Sequence, residues 1–506
     1  MIAKIALALP ILLLTTVALA AENQTPAIDP LMRAVDLRVG QQVEVELADG
    51  KTATVKLLSL DETRDDLRDA VRRASVEVEV NGQKATLVSS NYRLPVNVGG
   101  VQIDCAVTAG YTRGSSKKNV WALDADARLR LWPAGSPWIR PGTFVYPAKC
   151  RWFSSDTQMA NDPVYVDGGE TPANKSIYYH YGLDVGGSEG QVEVVAATEG
   201  LCVSAGGKTL ETVPLPSTVG PRYDVVYLLD GRGWFYRYSH LHTIDPAIQP
   251  GVRVKMGQKI GLLGKEGGSG GWSHLHFDIS GPQPSGRYGI IEGYPFFWQA
   301  YHAQHNTQLQ AVARPHYFTP VGEPIVLDAT RSFSAKGPQH IASYYWALSD
   351  GTIANRPTLL RHRYDQPGTY SEILQVTDKE GRTDYDFAVV QVVDPEHPDL
   401  LPPAIHAVYW PTLGIQAGDE ITFKVRSFRI AADDGHETWD FGDGTPKVEV
   451  QSDGNAVVHA KDGYAVTTHR YARAGHYLIT VHRTNHRGQT ATARLHIRVG
   501  RQSDLQ

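Results

Sequence analysis

Three features of the sequence predict a mainly β, multidomain protein. Short stretches alternate apolar and polar residues with period two and are joined by tight-turn dipeptides. A central stretch is rich in Gly and His and carries the same alternation. Two C-terminal segments resemble each other, as tandem modules do. At 506 residues the chain is too long for one core, and roughly 150 residues per domain predicts three or four domains. The hydrophobic content of 42% and charged content of 20% are ordinary for a globular protein. A net charge of -5 argues against a nucleic-acid partner.

The N-terminus reads as a signal peptide over residues 1–20. Lys4 gives a short positive region, Ile5 to Val17 an apolar core, and Ala18-Leu19-Ala20 a small-residue cleavage site. The apolar run is short for a membrane span and Pro10 interrupts it. No later stretch is apolar enough to cross a bilayer, so the expected location is periplasmic or secreted. Such a compartment permits disulfides, and Cys105 is expected to pair with Cys150, leaving Cys202 over.

Residues 22–160 form the first expected domain, β-rich and accessory. Val43 to Leu47 alternates, Asp49-Gly50 turns, and Thr52 to Leu58 returns. Val76 to Val80, Asn81-Gly82 and Ala85 to Val88 repeat the pattern. Between them Asp61 to Ala74 is charged and helix-compatible, with Leu67, Ala70 and Val71 at helical spacing. A polar linker near Asn161 to Lys175 opens the second expected domain, 161–300. From its position just before His180, the first domain is a candidate cover for whatever site follows.

The chemistry is concentrated in three clusters: His180-Tyr181-Gly182-Leu183-Asp184, Tyr238-Ser239-His240-Leu241-His242, and His274-Leu275-His276-Phe277-Asp278. On a strand, i and i+2 share a face, so Leu275 and Phe277 point to the core while His274 and His276 project together on the other side. Gly182 and its aromatic neighbours favour an extended or irregular segment that brings a His and an Asp to the same point. His, His and Asp suit zinc and leave a position open for water, the arrangement of a catalytic site. No HExxH helix supplies a Glu base. His240 and His274 are the replacements, one accepting the proton of water and the other stabilising the oxyanion, with the division left open. His242 is expected on the face of His240, as an exposed neighbour.

Together these motifs resemble peptidase family M23, the lysostaphin-like or LytM-like metallopeptidases. The family's H-x-G-[IL]-D stands at His180 to Asp184, its Y-x-H-L at Tyr238 to Leu241, its G-Q-x-I-G at Gly257 to Gly261, and its H-L-H-F-[ED] at His274 to Asp278. Ser273 stands where the family often has Pro. The resemblance implies an antiparallel β peptidase domain with one catalytic Zn2+ on His180, Asp184 and His276, and His240 with His274 as the catalytic pair. It implies hydrolysis of peptidoglycan cross-links. Cleavage of Gly-rich extracellular proteins is the alternative, and a non-catalytic cell-wall-binding regulator is a further one.

Beyond Thr307 the repeated segments, 308–395 and 403–500, carry Tyr345 to Gly351 and Trp439 to Gly444, each followed by alternating strands. They resemble PKD domains, immunoglobulin-like β-sandwiches. The second holds the full W-D-F-G-D-G turn, whereas the first has Ala347-Leu348-Ser349 in place of D-F-G. The resemblance implies spacer or binding modules that grip an extracellular polymer or protein, without a part in catalysis. The acidic turns are read as carboxylates satisfying turn backbone, with a calcium site as the alternative. Pro395 to Pro403 is expected as a stiff linker.

Overall fold

The computed structural model describes residues 27–165, 177–397 and 400–500. The expected signal peptide and most of the expected polar linker lie outside them. Strands dominate throughout.

The N-terminal region packs two antiparallel four-stranded sheets. One orders Gln42–Glu46, Thr52–Arg64, Val71–Val80 and Gln83–Val88. The other orders Arg33–Leu37, Ala127–Pro133, Val101–Thr108 and Val96–Val98. Alternate residues Val55, Leu57, Val76 and Val78 meet Ile103, Leu129 and Leu131 in a common core. Asn81 and Gly82 both take positive φ, 48° and 79°. That backbone matches the right-handed twist of the strands it joins.

The helix-compatible stretch Asp61 to Ala74 forms strand and turn. Both flanking strands run on into a longer hairpin, pairing Leu60 with Val76 and Glu62 with Ala74. Asp69 turns the chain with φ 57°, and Asp65 Oδ1 accepts from Arg68 N at 2.7 Å. Ala70, Val71 and Ala74 then pack against Tyr111 and Tyr179. Tertiary burial therefore overrides a weak local periodicity.

The central region is an antiparallel sheet in the order Gly200–Ala205, Val226–Leu229, Phe235–Ser239, His274–Pro282, Leu183–Gly186, with short strands at its margins. A smaller sheet of Glu193–Val195, Lys259–Leu263 and Leu241–Ile244 lies beside it. One helix, Tyr294–His305, has Pro in its first turn, where a missing N–H costs nothing. Its Phe297 meets Phe277 with ring centroids 4.9 Å apart, and Trp152 and Tyr301 extend the aromatic core.

Two β-sandwiches follow, with cores around Trp346, Leu374 and Val390 and around Phe423, Trp439 and Ile479. Their sheets join edge to edge through a parallel pairing of Thr369 with Ala491. The acidic turns bind their own backbone: Asp350 Oδ1 accepts from Thr352 N at 2.8 Å, and Asp443 Oδ1 from Thr445 N at 3.1 Å. Both sandwiches dock on the central region. Arg151 reaches Asp384 at 2.7 Å and the His496 carbonyl at 3.1 Å, and Ser155 Oγ donates to the Ala407 carbonyl at 2.8 Å.

The expected Cys105–Cys150 disulfide is not made. All three cysteines are free and buried. Cys105 sits in the N-terminal core, while Cys150 and Cys202 sit in the central one.

Candidate metal and catalytic site

The site grows from the strand His274–Pro282. Leu275, Phe277 and Ile279 point into the aromatic core and are fully buried. The alternation thus turns His274, His276 and Asp278 to the opposite face. Flanking strands set the register, with Asp184 directly across from His276 on one side and Ser239 on the other.

His180 enters from an irregular stretch just before the strand Leu183–Gly186. Its backbone is pinned by His180 N to the Asp162 carbonyl and Asn161 N to the His180 carbonyl, each 2.8 Å. Gly182 lets the ring of His276 approach, because a Cβ there would lie 2.6 Å from His276 Cε1. The glycine of the first cluster is therefore a packing requirement.

Three donor atoms converge. His276 Nδ1 lies 2.8 Å from Asp184 Oδ1 and 3.0 Å from His180 Nε2. His180 Nε2 lies 3.3 Å from Asp184 Oδ1. These three side chains can hold a metal ion. The remaining nitrogens are also engaged: His180 Nδ1 donates to the Met159 carbonyl at 3.2 Å, and His276 Nε2 lies 3.1 Å from Asp278 Oδ2. Such outer partners fix ring orientation and tautomer. Asp278 is in turn met by Arg237 at 3.3 Å.

His240 and His274 stand beside this triangle, ring centroids 4.7 Å apart. His240 has φ 65°, a left-handed backbone that breaks the strand between Ser239 and Leu241. Its N–H donates to Asp224 Oδ2 at 3.0 Å and its Nδ1–H to the Glu266 carbonyl at 2.6 Å. His274 Nδ1–H donates to the Trp272 carbonyl at 3.1 Å, and the Trp272 ring stacks on it at 3.8 Å. His274 Nε2 is 3.4 Å from Asp184 Oδ2.

Burial disfavours charge on Asp184, Asp224, His240, His274 and His276, and the neighbours reverse it for some of them. Asp184 is opposed by burial, yet His180, His274 and His276 around it hold its carboxyl well below the usual range. Burial drives His274 well below an ordinary imidazole and lowers His240. His276 is raised: burial works against it, but Asp184 and Asp278 win. Asp224 is desolvated, but hydrogen bonds from His240 and Arg222 pull it below the usual range.

The structure thus brings His180, Asp184, His240, His274 and His276 together. It does not bring His242 to them. The left-handed turn at His240 sends His242 elsewhere, 44% exposed and 3.5 Å from Glu189. Sequence reasoning missed Asp224 and Trp272, and gave Asp278 no role. Asp278 had a signal, since it continues the alternation of His274 and His276. Asp224 had none, lying 16 residues from the His240 it supports.

Family models match three stretches of the chain. Residues 178–285 match peptidase family M23, and residues 310–392 and 406–499 each match a PKD domain. Among solved structures, the chain is similar to Helicobacter pylori Csd3 in its orthorhombic crystal, at 15% identity over 52% of this chain and 82% of that one, with a TM-score of 0.21. The hexagonal crystal gives 15%, 54%, 80% and 0.20. Fibronectin(III)-like modules of Clostridium thermocellum CbhA give 11%, 39%, 97% and 0.15.

Proposed function

From a chain that carries an M23 peptidase domain and two PKD domains, we propose an exported zinc endopeptidase that hydrolyses peptide bonds of peptidoglycan cross-links. The observation that carries this reading is the triangle of His180 Nε2, Asp184 Oδ1 and His276 Nδ1, with edges of 2.8, 3.0 and 3.3 Å. Donors about 2.0–2.1 Å from a tetrahedral zinc stand about 3.3 Å apart, so the donor set and spacing suit that ion. Export rests on the signal-like N-terminus.

Zinc, when bound, supplies a Lewis acid and a water that ionises near neutral pH. The chain supplies the rest. Met159 and Asp278 hold the two ligand imidazoles in the tautomers that leave His180 Nε2 and His276 Nδ1 as donors. His240 and His274 each commit Nδ1–H to a backbone carbonyl, leaving Nε2 as the working nitrogen of both rings. Their lowered basicity keeps them neutral near pH 7. Either Nε2 can take a proton from attacking water, and the ring so protonated then donates from Nε2 to the oxyanion or the leaving amine.

The test pairs metal analysis with digestion of purified cell wall, reading products by mass spectrometry. One zinc per chain and new peptide ends are expected, with both lost in His276→Ala. Normal wall digestion by that variant would sink the site. An untouched wall with a Gly-rich protein cut would move the substrate to extracellular protein.

A further inference from the structure

The Nδ1 protons of both proposed catalytic histidines go to carbonyls of one loop: His240 to Glu266 and His274 to Trp272. That loop carries five glycines between positions 264 and 271. Gly267, Gly270 and Gly271 take φ of 62°, 70° and 92°. Such a segment loses much backbone entropy when ordered, so its position depends on what pins it.

The peptidase side pins its first half. Lys265 Nζ meets Glu189 at 2.5 Å, and Gly267 N donates to Tyr223 OH at 3.0 Å. Much of the remainder is pinned by the second sandwich. His459 Nε2–H donates to the Gly267 carbonyl at 2.7 Å, Asn455 Nδ2 to Gly270 at 3.1 Å and Arg426 to Gly271 at 2.7 Å. Ser273 N, next to His274, donates to Tyr464 OH at 2.8 Å. Tyr464 is held by His406 Nδ1 at 2.8 Å, and the His406 ring sits edge-on to Trp272 at 5.2 Å. Four contacts from one module thus converge on the loop that orients two side chains.

We propose that the second sandwich is a positioning part of the peptidase site: through His459, Asn455, Arg426 and Tyr464 it fixes the Glu266–Trp272 carbonyls and thereby the orientation of His240 and His274. This rests on the peptidase reading above and changes what the module is for. A spacer or polymer-binding module acts on substrate capture. A positioning module acts on the chemical step, where small misplacements are costly.

The test uses the full chain with Tyr464→Phe and with the double variant Asn455→Ala, His459→Ala. His459 is exposed and Asn455 half-buried, so fold loss is not expected in the double variant, and Phe preserves the packing of Tyr464. The substrate is a short soluble peptide that spans the bond whose cleavage the wall digestion identifies. Expected are a fall in kcat of ~10-fold with KM within ~2-fold, zinc content unchanged, and faster amide exchange confined to residues 264–273. Unchanged kcat and unchanged exchange would overturn the proposal. So would a raised KM on whole wall alone, which marks a capture module. Should the native chain cut no peptide, the peptidase reading fails, and amide exchange in the same variants decides the pinning by itself.

Discussion

Asp278 and Gly182 act on the metal triangle without being part of it, and each gives a sharp expectation. Asp278 Oδ2 stands 3.1 Å from His276 Nε2. Replacing it by Asn should weaken zinc affinity by about 10–100-fold, measured by chelator competition, with thermal stability little changed. Gly182→Ala places a methyl 2.6 Å from His276 Cε1. It should reduce bound metal sharply, and a full zinc complement in that variant would contradict the packing argument. The five clustered side chains were legible because strand alternation and short motifs point at them. Asp224 was not, because its approach to His240 depends on a left-handed backbone that composition does not announce.

At the scale of elements, the strand His274–Pro282 does two jobs with opposite faces. Its inner face supports the outer, so core damage should propagate to the site. Phe277 is fully buried against Phe144, Tyr238 and Phe297. Phe277→Ala should cost about 3–5 kcal/mol in denaturant unfolding. The hairpin through Asn81-Gly82 was readable from its turn, since few dipeptides adopt two positive φ values. The stretch Asp61 to Ala74 is helix-compatible by spacing yet extends the hairpin. Apolar residues at i, i+3 and i+4 also suit a hairpin whose end curls under a neighbouring cluster, and only the partners Tyr111 and Tyr179 decide between them.

Across the whole molecule, the sandwiches could be recognised from sequence but their docking could not. The contacts use loop carbonyls and scattered side chains such as Arg426 and Tyr464, which carry no periodic signature. One docking residue makes the assembly sensitive to acid. Burial pushes the His406 imidazole down to about 3, between Ser155, Tyr464 and Trp272. Between pH 3 and an unfolded value of about 6.5, the folded state binds fewer protons than the unfolded one. The contribution of His406 is therefore full above pH 6.5 and is lost as pH falls, at up to about 1.4 kcal/mol per unit. His406→Asn should flatten the pH dependence of Tm in that window. An unchanged slope would mean that the imidazole is not kept neutral by burial.

The three free cysteines give the molecule a built-in set of reporters. Burial pushes each thiol up to about 12, so almost none is thiolate at neutral pH and alkylating reagents should find the native chain silent. Labelling then requires a core to open. Cys105 times the breathing of the N-terminal sheets, and Cys150 and Cys202 that of the catalytic core. Reductants should leave the fold untouched, and mass-resolved alkylation can follow the two cores separately in the native sequence.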